Sequence, residues 1–298
     1  MSTRGVLVVG ATGTQGGAVV RRLLDDDHDF EVYGLTREPD SRAARRLADR
    51  GARIVRGNLW EPDTLVDAFE SVDAVYGMTD YWTAGYDGEI TQGINLANAA
   101  ADAGIDHLVL GSVAGAGGES EVSMIETKGR IERHVERLGL PATVVRPGYF
   151  VQNFELRRED VFDGTLALPL APGRRLPLAD TVDIGRLVVR ALLDPGRFVG
   201  ETIPLVGERL TLAEMADTFE TVLGREIDPV HVPIDVAREQ VDDEYARLFE
   251  WYNDRTHEGA IRELDRTYDF VPTSLSEYLH DTDWVRQELT EEPEKQTA

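Results

Sequence analysis

Short apolar runs alternate with amphipathic segments along the first two hundred residues of the chain. Most runs are four or five residues long and rich in valine and leucine, which is typical of parallel strands buried on both faces. The predicted strands cover residues 6–9, 31–35, 52–55, 74–77, 107–110, 142–145 and 202–205. The predicted helices between them cover residues 18–24, 41–50, 61–69, 90–103, 124–138 and 181–193. This alternation predicts an α/β fold with a doubly wound parallel sheet.

Three glycines fill the turn between the first predicted strand and the first predicted helix. Gly10, Gly13 and Gly16 follow the apolar run directly. Their spacing lets the backbone turn tightly and lets a pyrophosphate approach main-chain N–H groups at the positive end of the next helix. A purely structural turn is the alternative. The position between a first strand and a first helix favours a dinucleotide site.

Arg37 lies where the second predicted strand ends, directly after Thr36. In a dinucleotide-binding sheet this position faces the adenosine ribose, and an arginine there accommodates a 2′-phosphate. A guanidinium can hold a phosphate by two parallel hydrogen bonds, so Arg37 favours NADP(H) over NAD(H). Glu38 follows at once and weakens the preference, and an ordinary surface arginine is the alternative.

Asn58 follows the third predicted strand, at the place expected for the adenine. Its side chain could hydrogen-bond the adenine amino group, and a simple turn-forming role is an equal alternative.

Lys128 lies within an apolar stripe of the predicted helix at residues 124–138. The chain has two lysines and 29 arginines, and the other lysine, Lys295, is close to the end of the chain. A compact, titratable ammonium on an inward face suggests a task that guanidinium cannot perform. Hydrogen bonding to the nicotinamide ribose and general acid catalysis are the candidates, and a side chain that snorkels to solvent is the alternative.

Aromatic residues follow two of the predicted strands. Tyr81 and Trp82 come after the fourth strand, and Tyr149, Phe150 and Asn153 come after the sixth. Ligands bind at the carboxyl ends of such strands, so the four aromatic residues predict a cleft that suits a flat ligand such as a quinone, and Asn153 is expected over the cofactor. Ordinary packing of Tyr81 and Trp82 is the alternative.

The remaining segments predict a smaller, mainly helical second domain. A hairpin is expected over residues 164–178 with Pro172 and Gly173 in its turn, and helices follow from a capping box at Thr211 and Glu214. The predicted dinucleotide-binding domain covers residues 1–155 and 178–206. The predicted second domain covers residues 156–177 and 207–288, and a disordered tail is expected at 289–298.

Composition narrows the choice of partners. The formal net charge is −24, from 55 acidic and 31 basic residues, so electrostatic binding to nucleic acid or to an anionic membrane is not expected. No cysteine is present, and the histidines lack metal-ligand spacing, so no metal site is expected. The sequence shows no targeting segment and no apolar run long enough to span a bilayer, so a cytoplasmic protein is expected.

Several motifs together resemble the NmrA-like family of atypical short-chain dehydrogenase/reductases, closest to its HSCARG-type NADPH-sensor branch. The likeness extends from about Val6 to Trp284, and its motifs are Gly10–Gly17, Thr36–Arg37, Thr79–Trp82, Thr127–Gly129 and Arg146–Asn153. The resemblance implies an extended Rossmann fold with NADP(H) in the glycine loop. It also implies that Arg37 contacts the 2′-phosphate and that Lys128 lies near the nicotinamide ribose.

One position departs from typical members of the dehydrogenase superfamily. They carry a catalytic tyrosine four residues before the lysine, and Met124 stands there in this chain. Ser112 occupies the place of the family's serine, but without the tyrosine it has no proton relay to serve. A redox sensor with little turnover, acting through a regulatory protein partner, therefore competes with a reductase in which NADPH hydride attacks a quinone or enone and Lys128 or water supplies the proton.

The predicted cofactor-binding residues lie on loops that follow the predicted strands and on the helix that carries the lysine. They are Gly10, Thr12, Gly13, Thr14, Gln15, Gly16, Thr36, Arg37, Asn58, Thr79, Ser112, Lys128, Tyr149 and Asn153. Lys128 is also the candidate catalytic residue.

The acidic, lysine-poor composition predicts adaptation to concentrated salt, because screening weakens repulsion between surface carboxylates. We expect the purified protein to have a higher thermal midpoint in molar KCl than in dilute buffer. Equal midpoints in the two solutions would remove this interpretation.

Overall fold

The computed structural model describes residues 4–25, 28–255 and 260–295 of the chain. Its strands are β1 (Arg4–Val9), β2 (Phe30–Thr36), β3 (Arg53–Arg56), β4 (Ala74–Met78), β5 (His107–Gly111), β6 (Ala142–Pro147), β7 (Tyr149–Phe150), β8 (Thr165–Leu168), β9 (Leu176–Ala179), β10 (Thr202–Leu205), β11 (Glu208–Leu210) and β12 (Asp228–His231). Its α-helices are α1 (Thr14–Asp25), α2 (Arg42–Asp49), α3 (Val66–Glu70), α4 (Tyr81–Ala103), α5 (Ser123–Arg137), α6 (Arg158–Phe162), α7 (Thr181–Leu193), α8 (Pro195–Phe198), α9 (Leu212–Leu223), α10 (Ile234–Gln240), α11 (Asp243–Asp254), α12 (Ala260–Tyr268), α13 (Leu275–Asp281) and α14 (Asp283–Lys295).

The chain divides into two compact units. The first contains Met1–Pro147 and Thr181–Pro204, and the second contains Gly148–Asp180 and Leu205–Ala298. The sequence analysis places the first boundary at residue 155, whereas the chain enters the second unit at Gly148. The difference arises because β7 pairs with β9, so that the segment after β6 joins the sheet of the second unit.

A seven-stranded sheet forms the centre of the first unit. Its order is β10, β6, β5, β4, β1, β2 and β3. The ladders that β1 forms with β2 and with β4 are parallel, as are those of β2 with β3, β4 with β5 and β5 with β6. The predicted doubly wound parallel sheet is confirmed, and each predicted strand is present with ends shifted by at most two residues. The strand order reverses between β1 and β4, which is where ligands bind in such sheets.

The main core of the first unit lies where α4 and α5 cover one face of this sheet. Leu7, Val75 and Leu108 from neighbouring strands contact a cluster that includes Leu96 of α4 and Ile131 of α5. Each of these side chains is at most 1% exposed. Burial of an aliphatic side chain stabilises a fold by about 1.5–3 kcal/mol, so this cluster fixes both helices on the strands.

Two elements of the first unit differ from the sequence prediction. The helix predicted at residues 61–69 is a 3-10 turn, Pro62–Thr64, followed by the short α3. The helix predicted from residue 90 begins at Tyr81, because the Asp80 side chain accepts a hydrogen bond from the Trp82 N–H and caps it. A kink at Gly85, whose φ is 69°, separates this first turn from the rest of α4.

The predicted hairpin at residues 164–178 is wrong, although both of its strands and its turn exist. Gly173 has a φ of 75°, and the Arg174 N–H donates to the Ala171 carbonyl at 3.0 Å. However, β8 pairs in parallel with β12, whereas β9 pairs with β7 and β11. The turn therefore carries the chain from one sheet to another within the second unit.

The second unit is mainly helical, with an aromatic core. Its sheets have the orders β11-β9-β7 and β12-β8. The predicted capping box at Thr211 and Glu214 is present at the start of α9. Phe154 contacts Phe219 at 5.4 Å between ring centroids, and Tyr245 contacts Phe249 at 4.9 Å.

The end of the chain also differs from the prediction. The sequence suggests a tail over residues 289–298, whereas α14 continues to Lys295. Its acidic first-turn residue, Asp283, suits the positive end of a helix, and glutamate is a good helix former. Residues 296–298 lie outside the described residues.

His107, on β5, is a buried titratable group in the sheet of the first unit. Its Nε2 lies 2.8 Å from Thr143 Oγ1, and that hydroxyl donates to the Phe198 carbonyl at 2.7 Å. Nε2 therefore carries the proton, while Nδ1 is buried without a hydrogen-bond partner in the described part of the chain. Burial, together with the Arg4 charge, lowers the pKa of His107 to about 4.

We expect this histidine to make the fold less stable in mild acid. A depressed histidine pKa means that the unfolded chain binds the proton first, so the stabilisation is complete above the unfolded pKa of about 6.5 and is lost as the pH falls towards 4. Between pH 7 and pH 5 the free energy of unfolding should fall by about 2 kcal/mol from this group. Urea denaturation of the wild type and of His107→Gln at both pH values, at constant salt, isolates the contribution. Equal pH dependence in the two proteins would contradict it.

Candidate functional site

The glycine loop joins β1 to α1 in a conformation that leaves little room for side chains. Gly10 has a φ of 68°, and the Gly13 N–H donates to its carbonyl at 2.9 Å. A Cβ atom on Gly16 would lie 2.3 Å from the Gly10 carbonyl oxygen, so this position excludes every other residue type. Thr12, Gly13 and Thr14 are exposed at the start of α1, where N–H groups and the helix dipole favour an anion.

Gln15 connects this loop to β4 through its side chain. Its side chain is buried, and its Oε1 accepts a hydrogen bond of 2.5 Å from the Tyr76 hydroxyl on β4. Burial raises the pKa of Tyr76 above its usual range, so the phenol remains a donor. Both atoms lie against the Gly111 backbone, within 2.8 Å of the place where its Cβ would be. The side-chain oxygen of Gln15 therefore stabilises the loop.

Thr36 and Arg37 lie at the carboxyl end of β2. The Thr36 Oγ1 accepts the Glu38 N–H at 3.2 Å and turns the chain away from the sheet. Arg37 is exposed, and no ion pair joins it to another described residue. Its guanidinium therefore has no competing carboxylate among the described residues, and its contact with a 2′-phosphate stays a prediction.

Asn58 is occupied by its own turn. Its Nδ2 donates to Glu61 at 2.9 Å, and its Oδ1 accepts the Trp60 N–H at 3.2 Å. Its backbone N–H donates to Thr64 Oγ1 at 2.9 Å. These bonds favour the turn-forming alternative over a hydrogen bond to adenine, since the side chain would have to leave them to reach a ligand.

Lys128 is the centre of a buried hydrogen-bond network. Its Nζ donates to the Thr79 carbonyl at 2.6 Å and to Thr79 Oγ1 at 2.8 Å, and it forms an ion pair of 2.9 Å with Glu89 Oε1. The Lys128 residue is 7% exposed and Glu89 is fully buried. An ammonium group has three donors, so these partners use all of them. The ammonium does not reach solvent by snorkelling.

Threonine hydroxyls complete the network around Glu89. Thr79 Oγ1 donates to Glu89 Oε1 at 3.0 Å, and Thr127 Oγ1 donates to Glu89 Oε2. Such bonds offset the cost of taking a carboxylate and an ammonium out of water. The pair joins α4 to α5, while Thr79 joins both helices to the end of β4.

Sequence reasoning misses Glu89 altogether. A carboxylate near the predicted start of a helix reads as a solvated group, because the predicted helix begins at Ile90. The spacing of the sequence could have indicated that Glu89 is buried, because it lies on one helical face with Gly93, Leu96 and Ala100.

Ser112 belongs to a second network at the carboxyl end of β5. Its hydroxyl donates to Glu132, one turn after Lys128 on α5. Arg146 binds the same carboxylate with two donors, Nε at 3.0 Å and Nη2 at 2.5 Å. Met124 carries a thioether that cannot donate a proton. Ser112 and Lys128 are thus both held by carboxylates.

The other predicted ligand residues are placed as follows. Tyr81 and Trp82 form the first turn of α4 with their rings 5.8 Å apart, and the Trp82 residue is 53% exposed. In the second unit, Tyr149 is buried against Phe154 and Phe249, and burial beside Tyr245 raises its pKa. Asn153 is partly exposed in the 3-10 helix Val151–Arg157. The aromatic cleft stays a prediction.

We expect the Lys128–Glu89 pair to respond to single and double substitution in different ways. Glu89→Gln should lower the free energy of unfolding by about 3–5 kcal/mol, because it leaves a buried ammonium unpaired. The double variant Lys128→Met with Glu89→Gln should be more stable than the sum of the single effects predicts. Urea denaturation measures each value.

Glu126→Gln provides a matched control on α5, because Glu126 forms an exposed pair with Arg130. Exposed pairs contribute at most about 1 kcal/mol. A loss for Glu89→Gln no larger than the loss for this control would show that the buried pair is dispensable.

Comparison with known proteins identifies the family of this chain. The model of the NmrA-like family matches residues 2–283. The NAD(P)H azoreductase of Xenophilus azovorans is 32% identical over 236 residues, which cover 78% of this chain and 79% of the azoreductase. An NmrA-like family domain-containing protein of Dictyostelium discoideum is 32% identical over 248 residues, covering 76% of this chain and 81% of its own length.

Solved structures share the fold at lower identity. The triphenylmethane reductase of Citrobacter sp., complexed with NADP(H), has a TM-score of 0.79 at 20% identity, covering 95% of this chain and 99% of the reductase. The negative transcriptional regulator NmrA, in complex with NADP, has a TM-score of 0.77 at 23% identity, with the same coverage of both chains. In the described part of the chain, no helix combines the length and apolarity needed to cross a membrane. The matched family model and the relatives at 32% identity show that the chain belongs to the NmrA-like family.

Proposed function

We propose that this protein binds NADP(H) at the glycine loop and acts as a redox sensor that turns over little or none of its cofactor. The observation that carries the proposal is the state of Lys128, whose three donors are used by Thr79 and Glu89. A proton donor for catalysis needs a free path to the substrate oxygen. Lys128 instead donates all three of its hydrogen bonds to groups of the protein.

The glycine loop fits a dinucleotide. Its backbone approaches itself so closely at Gly16 that no Cβ is tolerated, and Thr12, Gly13 and Thr14 are exposed where the loop enters α1, the place at which a pyrophosphate would bind. Arg37 supplies a charge for the 2′-phosphate. The structures of triphenylmethane reductase and NmrA, which share this fold, hold NADP(H) and NADP respectively. When bound, the reduced nicotinamide supplies a hydride.

The states of Met124, Ser112 and Lys128 argue against alcohol and ketone chemistry. Reduction of a ketone produces an alkoxide that must be protonated as it forms. Met124 cannot donate, the Ser112 hydroxyl donates to Glu132, and the Lys128 ammonium is held by Glu89. Cofactor binding without such chemistry is what a sensor requires, with a protein partner to receive the signal. Assignment to the NADPH-sensor branch belongs to the same proposal.

A reductase of quinones, enones or azo compounds is the second candidate. Such acceptors are electrophilic, and water can protonate their reduced forms, so they do not need the missing relay. The 32% identity to an NAD(P)H azoreductase supports this candidate. The exposed Trp82, in the first turn of α4, also supports it, because its ring could contact a flat acceptor. In this candidate Lys128 would supply the proton only after leaving its bonds to Thr79 and Glu89, and water would supply it otherwise.

Binding and turnover measurements separate the two candidates. We expect the dissociation constants of NADPH and NADP⁺ to differ by at least about tenfold, in either direction, because a sensor must distinguish the two forms. Titration in molar KCl, followed by tryptophan fluorescence or calorimetry, measures the ratio. With quinone or azo-dye acceptors, NADPH oxidation should stay at least about a hundredfold below 1 s⁻¹, the low end of ordinary enzymes.

Sustained NADPH oxidation at ordinary enzyme rates would overturn the sensor and favour the reductase. The double variant Lys128→Met with Glu89→Gln then tests the lysine, since it removes both buried charges together. Loss of turnover with unchanged NADPH affinity would assign Lys128 to catalysis. Failure of all four nicotinamide nucleotides to bind would reject both candidates.

A further inference from the structure

We propose that Arg56, at the end of β3, is a second arginine that binds the 2′-phosphate and sets the preference for NADP(H). This inference rests on the proposed function, because it concerns the same cofactor. Sequence reasoning places Arg37 alone at this phosphate. The register of the sheet places a second arginine, Arg56, at the same carboxyl edge.

Strands β2 and β3 pair in parallel, and Thr36 is the direct partner of Arg56. Both residues end their strands, and the Gly57 N–H, directly after Arg56, donates to the Thr36 carbonyl at 3.1 Å. Arg37 follows Thr36 in the chain. The two arginines therefore leave neighbouring strands at the same carboxyl edge, one residue apart in register.

Arg56 lies on the face of the sheet that contacts the glycine loop. Side chains alternate along a strand, so Arg56 shares a face with Ile54, and Thr36 shares that face with Gly34. A Cβ on Gly34 would lie 3.1 Å from the Cβ of Ala11 and 3.4 Å from Ile54 Cδ1. Ala11 belongs to the glycine loop. Arg56 therefore points to the side of the sheet on which the proposed pyrophosphate site lies.

The charges of Arg56 and Arg37 also favour an anionic ligand. Arg56 is exposed, and neither Arg56 nor Arg37 forms an ion pair with another described residue. Arginines of this acidic chain commonly find a carboxylate, as Arg53 on the same strand does with Glu31. Two exposed guanidinium groups without ion-pair partners suit a dianionic phosphate monoester.

The experiment compares cofactors that differ only in this phosphate. The dissociation constants of NADPH, NADH, 2′,5′-ADP and 5′-AMP are measured in the full chain for the wild type, Arg56→Gln, Arg37→Gln and the double variant. Arg56→Gln should weaken NADPH and 2′,5′-ADP by about tenfold and leave NADH and 5′-AMP unchanged. The double variant should bind NADPH no better than NADH.

Arg53→Gln is the matched control, because Arg53 lies on the same strand, faces the opposite side and pairs with Glu31. It should leave all four constants unchanged. Wild-type binding of NADPH with no selective loss in Arg56→Gln would overturn the role of Arg56 and leave the proposed function standing. A wild type that binds neither NADPH nor NADH would overturn both, and thermal midpoints equal to the wild type establish that each variant is folded.

Discussion

The buried ion pair between Lys128 and Glu89 is the interaction on which the rest of the candidate site depends. It lies between α4 and α5, and Thr79 attaches it to the end of β4. Removing one charge from water costs several kcal/mol unless its partner is in place, so neither helix can shift without exposing or orphaning a charge. The position of Gly93 reinforces this constraint, because a Cβ there would lie 2.4 Å from Ile131 on α5. Charge and close packing thus select the same arrangement.

This arrangement also limits the chemistry. Lys128 lies four residues after Met124 and four before Glu132, so one face of α5 presents a thioether, an ammonium and a carboxylate in succession. The ammonium is neutralised by Glu89, and the carboxylate is neutralised by Arg146 and bound by Ser112. Each group that could move a proton is thereby satisfied by another part of the protein. A cofactor can be bound next to such a face without the face taking part in proton transfer.

The part of the site that could be predicted from the sequence is the part set by local constraints. The apolar run before Gly10 and the spacing of the three glycines depend on neighbouring residues alone, and the turn has the predicted position. The same holds for the capping box at Thr211. The hairpin failed because Pro172 and Gly173 specify a reversal but not a partner strand, and β12 is more than fifty residues away in the chain. The partners of Glu89 could not be predicted because they come from α5 and from the segment after β4, which are distant from Glu89 in the chain.

In the proposed site, Arg37 and Arg56 would allow a strongly acidic protein to bind an anionic cofactor. Across the whole chain, a net charge of −24 opposes the approach of any phosphate. That opposition acts over long distances, and at molar salt the Debye length is about 3 Å, so most of it is screened. Hydrogen bonds from a guanidinium to a phosphate act at contact distance, which is comparable to this Debye length, so they are screened less than the long-range field. The salt that would relieve repulsion between surface carboxylates would therefore also permit selective binding, because it suppresses the repulsive field while the local contacts of these two arginines remain.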